Sequence, residues 1–248
     1  MVGISAEARE RVRQLAARVG VESQVRQAYR LFDRTARREA RDNEHMRVVL
    51  AACLAPDSGC IDIGAHSGGI LGEIVRCAPR GRHIAYEPLP HLATELARRF
   101  PGVDVRSAAL SDETGTATFV HDHTEPMRST LHPHDFTDAE HATTIEVRVE
   151  RLDDALPADY SPALIKIDVE GSEAKVLAGA VETLRRSRPV VVFEHGGGGT
   201  SSPTDVYSIL VDRAGLRIYD LDGVGPYSHA EFEAMYTQPT MWNWIARP

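Results

Sequence analysis

The chain reads as an α/β protein with a mainly parallel sheet, on three observations. Short apolar runs alternate with helical periods along most of the length. The first such run, Cys60-Ile61-Asp62-Ile63, opens directly into a glycine-rich turn, Gly64-Ala65-His66-Ser67-Gly68-Gly69. Four separate runs close on an acid: Asp62, Glu87, Asp168 and Glu194. In open parallel sheets, ligands bind outside the carboxyl ends of the strands. The pattern therefore delivers four carboxylates to one rim, which core packing alone does not explain.

The elements follow in order. Residues 5–55 show helical periodicity, with Val12, Leu15, Ala16 and Val19 on one face and Val25, Tyr29 and Phe32 on another. Arginines fill the opposite faces and read as solvated. This segment, 1–55, is expected to be a helical cap over the sheet or the site, and a homodimer contact is the other role open to it. The main domain, 56–248, begins with a strand–turn–helix–strand unit over 59–88, its helix running from about Ile70 to Cys77. Pro90 to Phe100 reads as a helix that ends at Pro101-Gly102. Val103 to Arg106 alternates as a strand. Ser111 to Gly115 is a turn and Thr116 to Val120 is β-rich, so a hairpin is expected there. Residues 121–143 lack periodicity and hold His121, His123, His132, His134 and His141. Such a long irregular stretch fits a substrate lid. Its histidines lack the accompanying ligands of a diagnostic metal site.

Beyond the lid, Ile145 to Val149 alternates as a strand, and 152–156 is a turn or short helix. Ala163 to Asp168 is a buried strand, followed by a helix over about 173–186. Val190 to Phe193 is a further buried strand ending in Glu194-His195 and four glycines. A helix at 203–214, a strand at Leu216 to Leu221 and a last strand near Met241 to Ala246 complete the series.

Size and composition fit one large domain with a full core. The chain has 248 residues, 42% of them hydrophobic and 26% charged. A net charge of -8 disfavours a broad nucleic-acid surface. No apolar run approaches the ~18 residues of a membrane span. The N-terminus is rich in Arg and Glu and lacks the apolar core of a signal peptide. Three cysteines, Cys53, Cys60 and Cys77, fit reduced thiols in a cytoplasm.

The glycine turn has the geometry of a nucleotide-type site, with Glu87 ending the second strand where ribose hydroxyls bind. A dinucleotide fingerprint needs glycine at 64, 66 and 69, and here 66 is His66. Asp62 also sets negative charge beside the turn, which a pyrophosphate disfavours. S-adenosylmethionine suits the pattern better, having a ribose, a sulfonium and an ammonium but no phosphate.

These residues resemble the FkbM-type methyltransferases, a class I S-adenosylmethionine-dependent family. The matching blocks are Asp62 to Gly68, Tyr86-Glu87-Pro88, Ala109 to Asp112 with Gly115, Leu152-Asp153-Asp154, Lys166 to Glu173, and Glu194. The chain departs from the family at His66, where Asn is usual, and at Gly69, where a larger residue is common. The resemblance implies a Rossmann-like sheet of seven strands, one of them antiparallel. It implies that Asp62, Gly64, Ala65, His66, Gly68, Glu87, Pro88, Ala109 and Asp168 line the cofactor pocket. It also implies O-methylation of a hydroxyl on a small-molecule acceptor such as a sugar or secondary metabolite.

Methyl transfer needs an aligned acceptor, excluded water and a group to take the acceptor's proton. Asp168, Glu170, Glu194 and His195 are the candidates. Alternation places Lys166 and Asp168 on one side of their strand, so each can hold the other's charge. A divalent cation such as Mg²⁺ between Asp168 and Glu194, with His195 as a further ligand, is the alternative to a metal-free base. Glu173 fits a helix N-terminus stabiliser. Two other readings remain open: a non-catalytic S-adenosylmethionine-binding protein, and an α/β-hydrolase with Ser67 as nucleophile and His195-Gly196-Gly197-Gly198 as oxyanion loop.

Overall fold

The architecture comes from a computed structural model, which describes residues 34–122, 142–196, 201–236 and 243–248. Most of the expected helical cap, residues 1–33, lies outside the described residues, as do His123, His132, His134 and His141 of the expected lid. The chain divides into two compact units, 1–45 and 46–248. The division falls inside the first described helix, α1 (Arg34–Cys53).

The larger unit starts with β1 (Cys60–Ile63), α2 (Gly69–Cys77), β2 (His83–Tyr86), α3 (Pro90–Arg99) and β3 (Val103–Arg106). Next come β4 (Ala109–Leu110), β5 (Gly115–Asp122), β6 (Ala142–Glu150) and the single turn α4 (Leu152–Ala155). Then follow β7 (Leu164–Ile167), α5 (Glu173–Ala178), α6 (Val181–Ser187) and β8 (Val190–Glu194). The series ends with α7 (Pro203–Tyr207), which runs on into a π-helical segment at Ser208–Arg213, then β9 (Arg217–Asp220), α8 (His229–Tyr236) and β10 (Asn243–Arg247).

Seven strands form one sheet in the order β3-β2-β1-β7-β8-β10-β9. Only β10 runs antiparallel to its neighbours. The order reverses between β1 and β7, which is where a doubly wound sheet opens its ligand crevice. The central strands are buried on both faces, and their apolar content follows from that. On one face Ile61, Ile63, Ile165, Ile167, Val191 and Phe193 pack with Val176 and Leu177 of α5 and Phe232 of α8. On the other, Cys60, Leu164 and Val192 pack with Met46, Leu50 and Ile74. The polar members of that second face, Asp62 and Lys166, stand opposite each other in register.

The structure differs from expectation in four places. Residues 103–106 and 116–120 do not form a hairpin: β3 extends the main sheet, and β5 pairs antiparallel with β6 across the 123–141 segment. With β4, these make a separate three-stranded sheet over Leu89, Phe119, Val147 and Val149. A pairing across so long an intervening segment leaves no local turn signal to read. The helix expected over 173–186 is two helices. Gly179 interrupts it because its backbone packs on the Ser111 carbonyl, with no room for a Cβ, while its own carbonyl accepts the Asp153 amide. The helix expected over 203–214 is α-helical only to Tyr207. Finally, α8 lacks a wide apolar stripe and gave no periodic signal; Phe232 is its buried anchor.

Candidate active site

The turn after β1 is shaped by backbone demands. Gly64 has φ +75°, and a Cβ there would run into the Asp168 carbonyl oxygen. Gly68 has φ +77°, and a Cβ would lie 2.7 Å from both Leu96 and Phe100. Between them His66 also has positive φ, +47°. His is among the residues that tolerate this region best, so the turn accepts His66. What it uses is the His66 amide, which donates to Glu87 Oε2 at 2.7 Å. The Leu89 amide donates to Glu87 Oε1 at 3.0 Å. Burial pushes the Glu87 carboxyl up, and these two amides pull it back. Each oxygen keeps a second lone pair. The Gly64 and Ala65 amides both donate to the Tyr86 carbonyl, which ties the turn to β2. Ala65 and Ala109 are buried small residues and Pro88 is half-buried.

The neighbouring strands supply charge. Asp62 is 1% exposed, and neither of its oxygens has a hydrogen-bond partner among the described residues. Burial pushes its carboxyl up to about 6; Lys166 opposes the shift, and the charges of Asp168 and Glu87 add to it. The Lys166 ammonium lies 3.9 Å from Asp62 Oδ1 and donates to Asp168 Oδ2 at 2.8 Å. Burial alone would lower Lys166, but the carboxylates of Asp168 and Asp62 outweigh it and the ammonium is held. Asp168 begins where β7 ends, and its own amide donates to the Ile63 carbonyl of β1. Glu194 ends the adjacent strand. Its carboxyl is pushed up to about 9 by burial, then by the charges of Asp168 and Glu170, against the pull of Lys166. Two neighbouring acids relieve their repulsion when one keeps its proton, and the upward shift of Glu194 runs in that direction. Glu170 is exposed, in a left-handed conformation with φ +51°.

His195 stands apart from this group. Alternation turns it to the other face of the sheet from Glu194. There it is 2% exposed, its Nδ1 3.6 Å from Glu173 Oε2, and its ring lies against Phe232 and Tyr236. The structure therefore brings Asp62, Lys166, Asp168 and Glu194 together and leaves His195 out. The arrangement also removes the hydrolase reading. Ser67 is exposed and its Oγ makes no hydrogen bond among the described residues, while His195 of the expected oxyanion loop is buried against Glu173 and Gly197 and Gly198 lie outside the described residues. Among the described residues no cluster of three or more His, Cys, Asp or Glu has metal-binding geometry.

A seven-stranded sheet with this order, one antiparallel strand and a glycine turn facing an acid on the next strand is the sheet of a class I S-adenosylmethionine-dependent methyltransferase. The model of the methyltransferase FkbM domain matches residues 62–218, and the chain belongs to that family. A crystal structure of an FkbM methyltransferase from Methylobacillus flagellatus KT superposes with a TM-score of 0.51 at 17% identity, covering 79% of this chain and 44% of that one. The AMB antimetabolite synthetase AmbE of Pseudomonas aeruginosa is 28% identical over 209 residues, 66% of this chain. The chain spans 10% of that protein's length.

The residues fit the family's cofactor, S-adenosylmethionine. Glu87 has lone pairs free for ribose hydroxyls, Gly64 and Gly68 let the turn pack tightly on Asp168, Leu96 and Phe100, and the carboxyl of Asp62 suits the ligand's positive charge. Lys166 is the member that the sequence underplayed. Its alternation with Asp168 was visible, but its approach to Asp62 depends on the β1–β7 register.

Proposed function

We propose that this methyltransferase transfers the methyl group to a hydroxyl of a small secondary metabolite or sugar, with Asp168 as the metal-free base. The observation that carries this reading is the Lys166–Asp168–Glu194 group at the ends of adjacent strands, one strand from the glycine turn. An alcohol is a weak nucleophile until its proton is taken. Asp168 stands at the rim with one oxygen on Lys166, and a carboxylate has further lone pairs with which to accept the acceptor's O–H. Glu194, holding its proton, donates to the same carboxylate and fixes its direction. When bound, S-adenosylmethionine supplies the electrophilic methyl carbon. Taking the acceptor's proton leaves Asp168 neutral, and the Lys166 ammonium that paired with its carboxylate stays beside it.

Support for a secondary-metabolite acceptor comes from the likeness to a segment of an antimetabolite synthetase. The net charge of -8 speaks against a nucleic-acid acceptor. No helix among the described residues is long and apolar enough to cross a membrane, and three free cysteines fit a cytoplasmic setting. The test is to incubate a cell extract with the enzyme and methyl-labelled S-adenosylmethionine, and to identify the product by mass spectrometry. Label on an oxygen of a small molecule supports the reading; label on nitrogen, carbon or a macromolecule overturns it. Repeating the assay in EDTA separates the base from a metal. Full activity is expected, and activity restored only by Mg²⁺ would sink the metal-free version.

A further inference from the structure

We propose that Glu173, with His195 and Tyr236 behind it, is a positioning device that holds the Asp168–Gly171 segment against the cofactor turn and so sets cofactor affinity without touching the cofactor. The inference rests on the family's cofactor site and is independent of the acceptor.

The segment that leaves β7 needs holding. It reverses through two consecutive left-handed residues, Glu170 at φ +51° and Gly171 at φ +97°. A glutamate disfavours that conformation and keeps it only when its surroundings impose it. Both polar groups of the Gly171 backbone are held by side chains. The Gly171 amide donates to Glu173 Oε1 at 2.9 Å, and Ser201 Oγ donates to the Gly171 carbonyl at 2.8 Å. Ser201 Oγ also accepts the Ala174 amide, which anchors it to α5.

Glu173 is more than a charge at a helix start. It is 3% exposed, and stabilising a helix terminus does not require such burial. Its second oxygen faces His195 Nδ1 at 3.6 Å. The imidazole is fixed on several sides. It stacks on Phe232 with ring centroids 5.9 Å apart and lies 4.6 Å from the Tyr236 ring, while Trp244 Nε1 donates to the His195 carbonyl at 2.8 Å. His195 Nε2 is buried without a hydrogen-bond partner among the described residues. A buried orphan nitrogen is unfavourable, and it is accounted for here if the ring is retained for what Nδ1 does to Glu173. Tyr236 closes the circuit, its hydroxyl donating to the Ser201 carbonyl at 3.4 Å.

The far end of the segment meets the cofactor turn. The Asp168 carbonyl occupies the space that a Gly64 side chain would need, and the Asp168 amide bonds to Ile63. A shift of residues 168–171 therefore moves the surface on which Gly64 rests.

The experiment uses the full chain, S-adenosylhomocysteine as the probe in calorimetry, and hydrogen exchange at the Gly171 amide. Glu173→Ala should raise the dissociation constant about tenfold and speed Gly171 exchange about a hundredfold. Glu173→Gln keeps an oxygen for the Gly171 amide and should return the constant to within about threefold of wild type. His195→Phe keeps the stacking and removes the nitrogen facing Glu173; it should weaken binding about threefold. Wild-type affinity in Glu173→Ala overturns the proposal, as does a Gln variant as weak as the Ala variant. Should Glu173→Ala fail to fold, Ser201→Ala releases the other side of Gly171 and decides in its place. Faster exchange with weaker binding supports the device, and unchanged binding overturns it. A wild-type chain that binds no S-adenosylhomocysteine overturns the cofactor site and this inference together.

Discussion

At the β1–β2 half of the rim, backbone geometry makes the site. Gly64 and Gly68 turn where side chains will not fit, and Glu87 is aimed by two amides rather than by a cation. At the β7–β8 half, side-chain charge makes the site. Lys166 bridges Asp62 and Asp168 from adjacent strands, and a third acid, Glu194, has its carboxyl pushed up by burial and by Asp168. The first half depends on shape and should fail abruptly when a single atom is added. The second depends on a balance of charges and should respond in grades, through turnover and through a stability that changes with pH.

The largest expected effect follows from shape. Gly64→Ala forces a Cβ into the Asp168 carbonyl and strains a left-handed residue. Destabilisation of about 3 kcal/mol or more is expected, with loss of cofactor binding. Thermal melting and calorimetry check it together. A variant with wild-type melting would show that the two halves are not in contact at Gly64.

The second effect belongs to the charged half alone. Asp168→Asn keeps size and loses the base, so turnover should fall by about a hundredfold or more. Binding of S-adenosylmethionine should stay within about threefold, because the turn and Glu87 are untouched. Turnover near wild type would remove Asp168 as the base. Equal loss of binding and turnover would mean that the two halves cannot be separated.

Glu87→Ala is the converse. Removing a carboxylate that accepts ribose hydroxyls should weaken the cofactor by about 1.5–3 kcal/mol. Calorimetry with unchanged affinity would take Glu87 out of the site. The rate at saturating cofactor should change little, which sharpens the contrast with Asp168.

The same contrast explains what could be read from the sequence. The β1–β2 half is local: strand, glycines, helix and the following acid lie within one continuous stretch, and each leaves its mark in residue type. The strand ends bearing Asp168 and Glu194 were equally visible. What was not visible was how neighbouring strands align. Register puts Lys166 opposite Asp62, and alternation sends His195 away from Glu194, toward Glu173 and the aromatic rings of α8. The sequence grouped His195 with Glu194 because the two are adjacent in the chain, and a strand places adjacent side chains on opposite faces. The hairpin expectation failed for a related reason. β5 finds its partner beyond the 123–141 segment, and nothing in the turn at 111–115 records that choice.

The smallest effect at neutral pH is the most specific test of the charged half. Glu194 has its carboxyl raised to about 9, first by burial and then by Asp168 and Glu170. An acid with a raised folded pKa keeps its proton in the native state after the unfolded chain has released it. The unfolded state then binds fewer protons, so Glu194's contribution is intact below the ordinary glutamate range and is lost progressively as pH rises toward about 9. Glu194→Gln imitates the protonated acid and cannot ionise in either state. It should therefore leave turnover at pH 7 within about threefold, since a donor to Asp168 is still present. It should melt about 2–4 °C above wild type at pH 8, with the difference vanishing near pH 4. Melting curves across pH 4–9 read this directly. A variant that melts below wild type at pH 8 would mean that Glu194 is ionised in the native enzyme. Asp168 would then share its pocket with a second negative charge, and the base would have to be assigned anew.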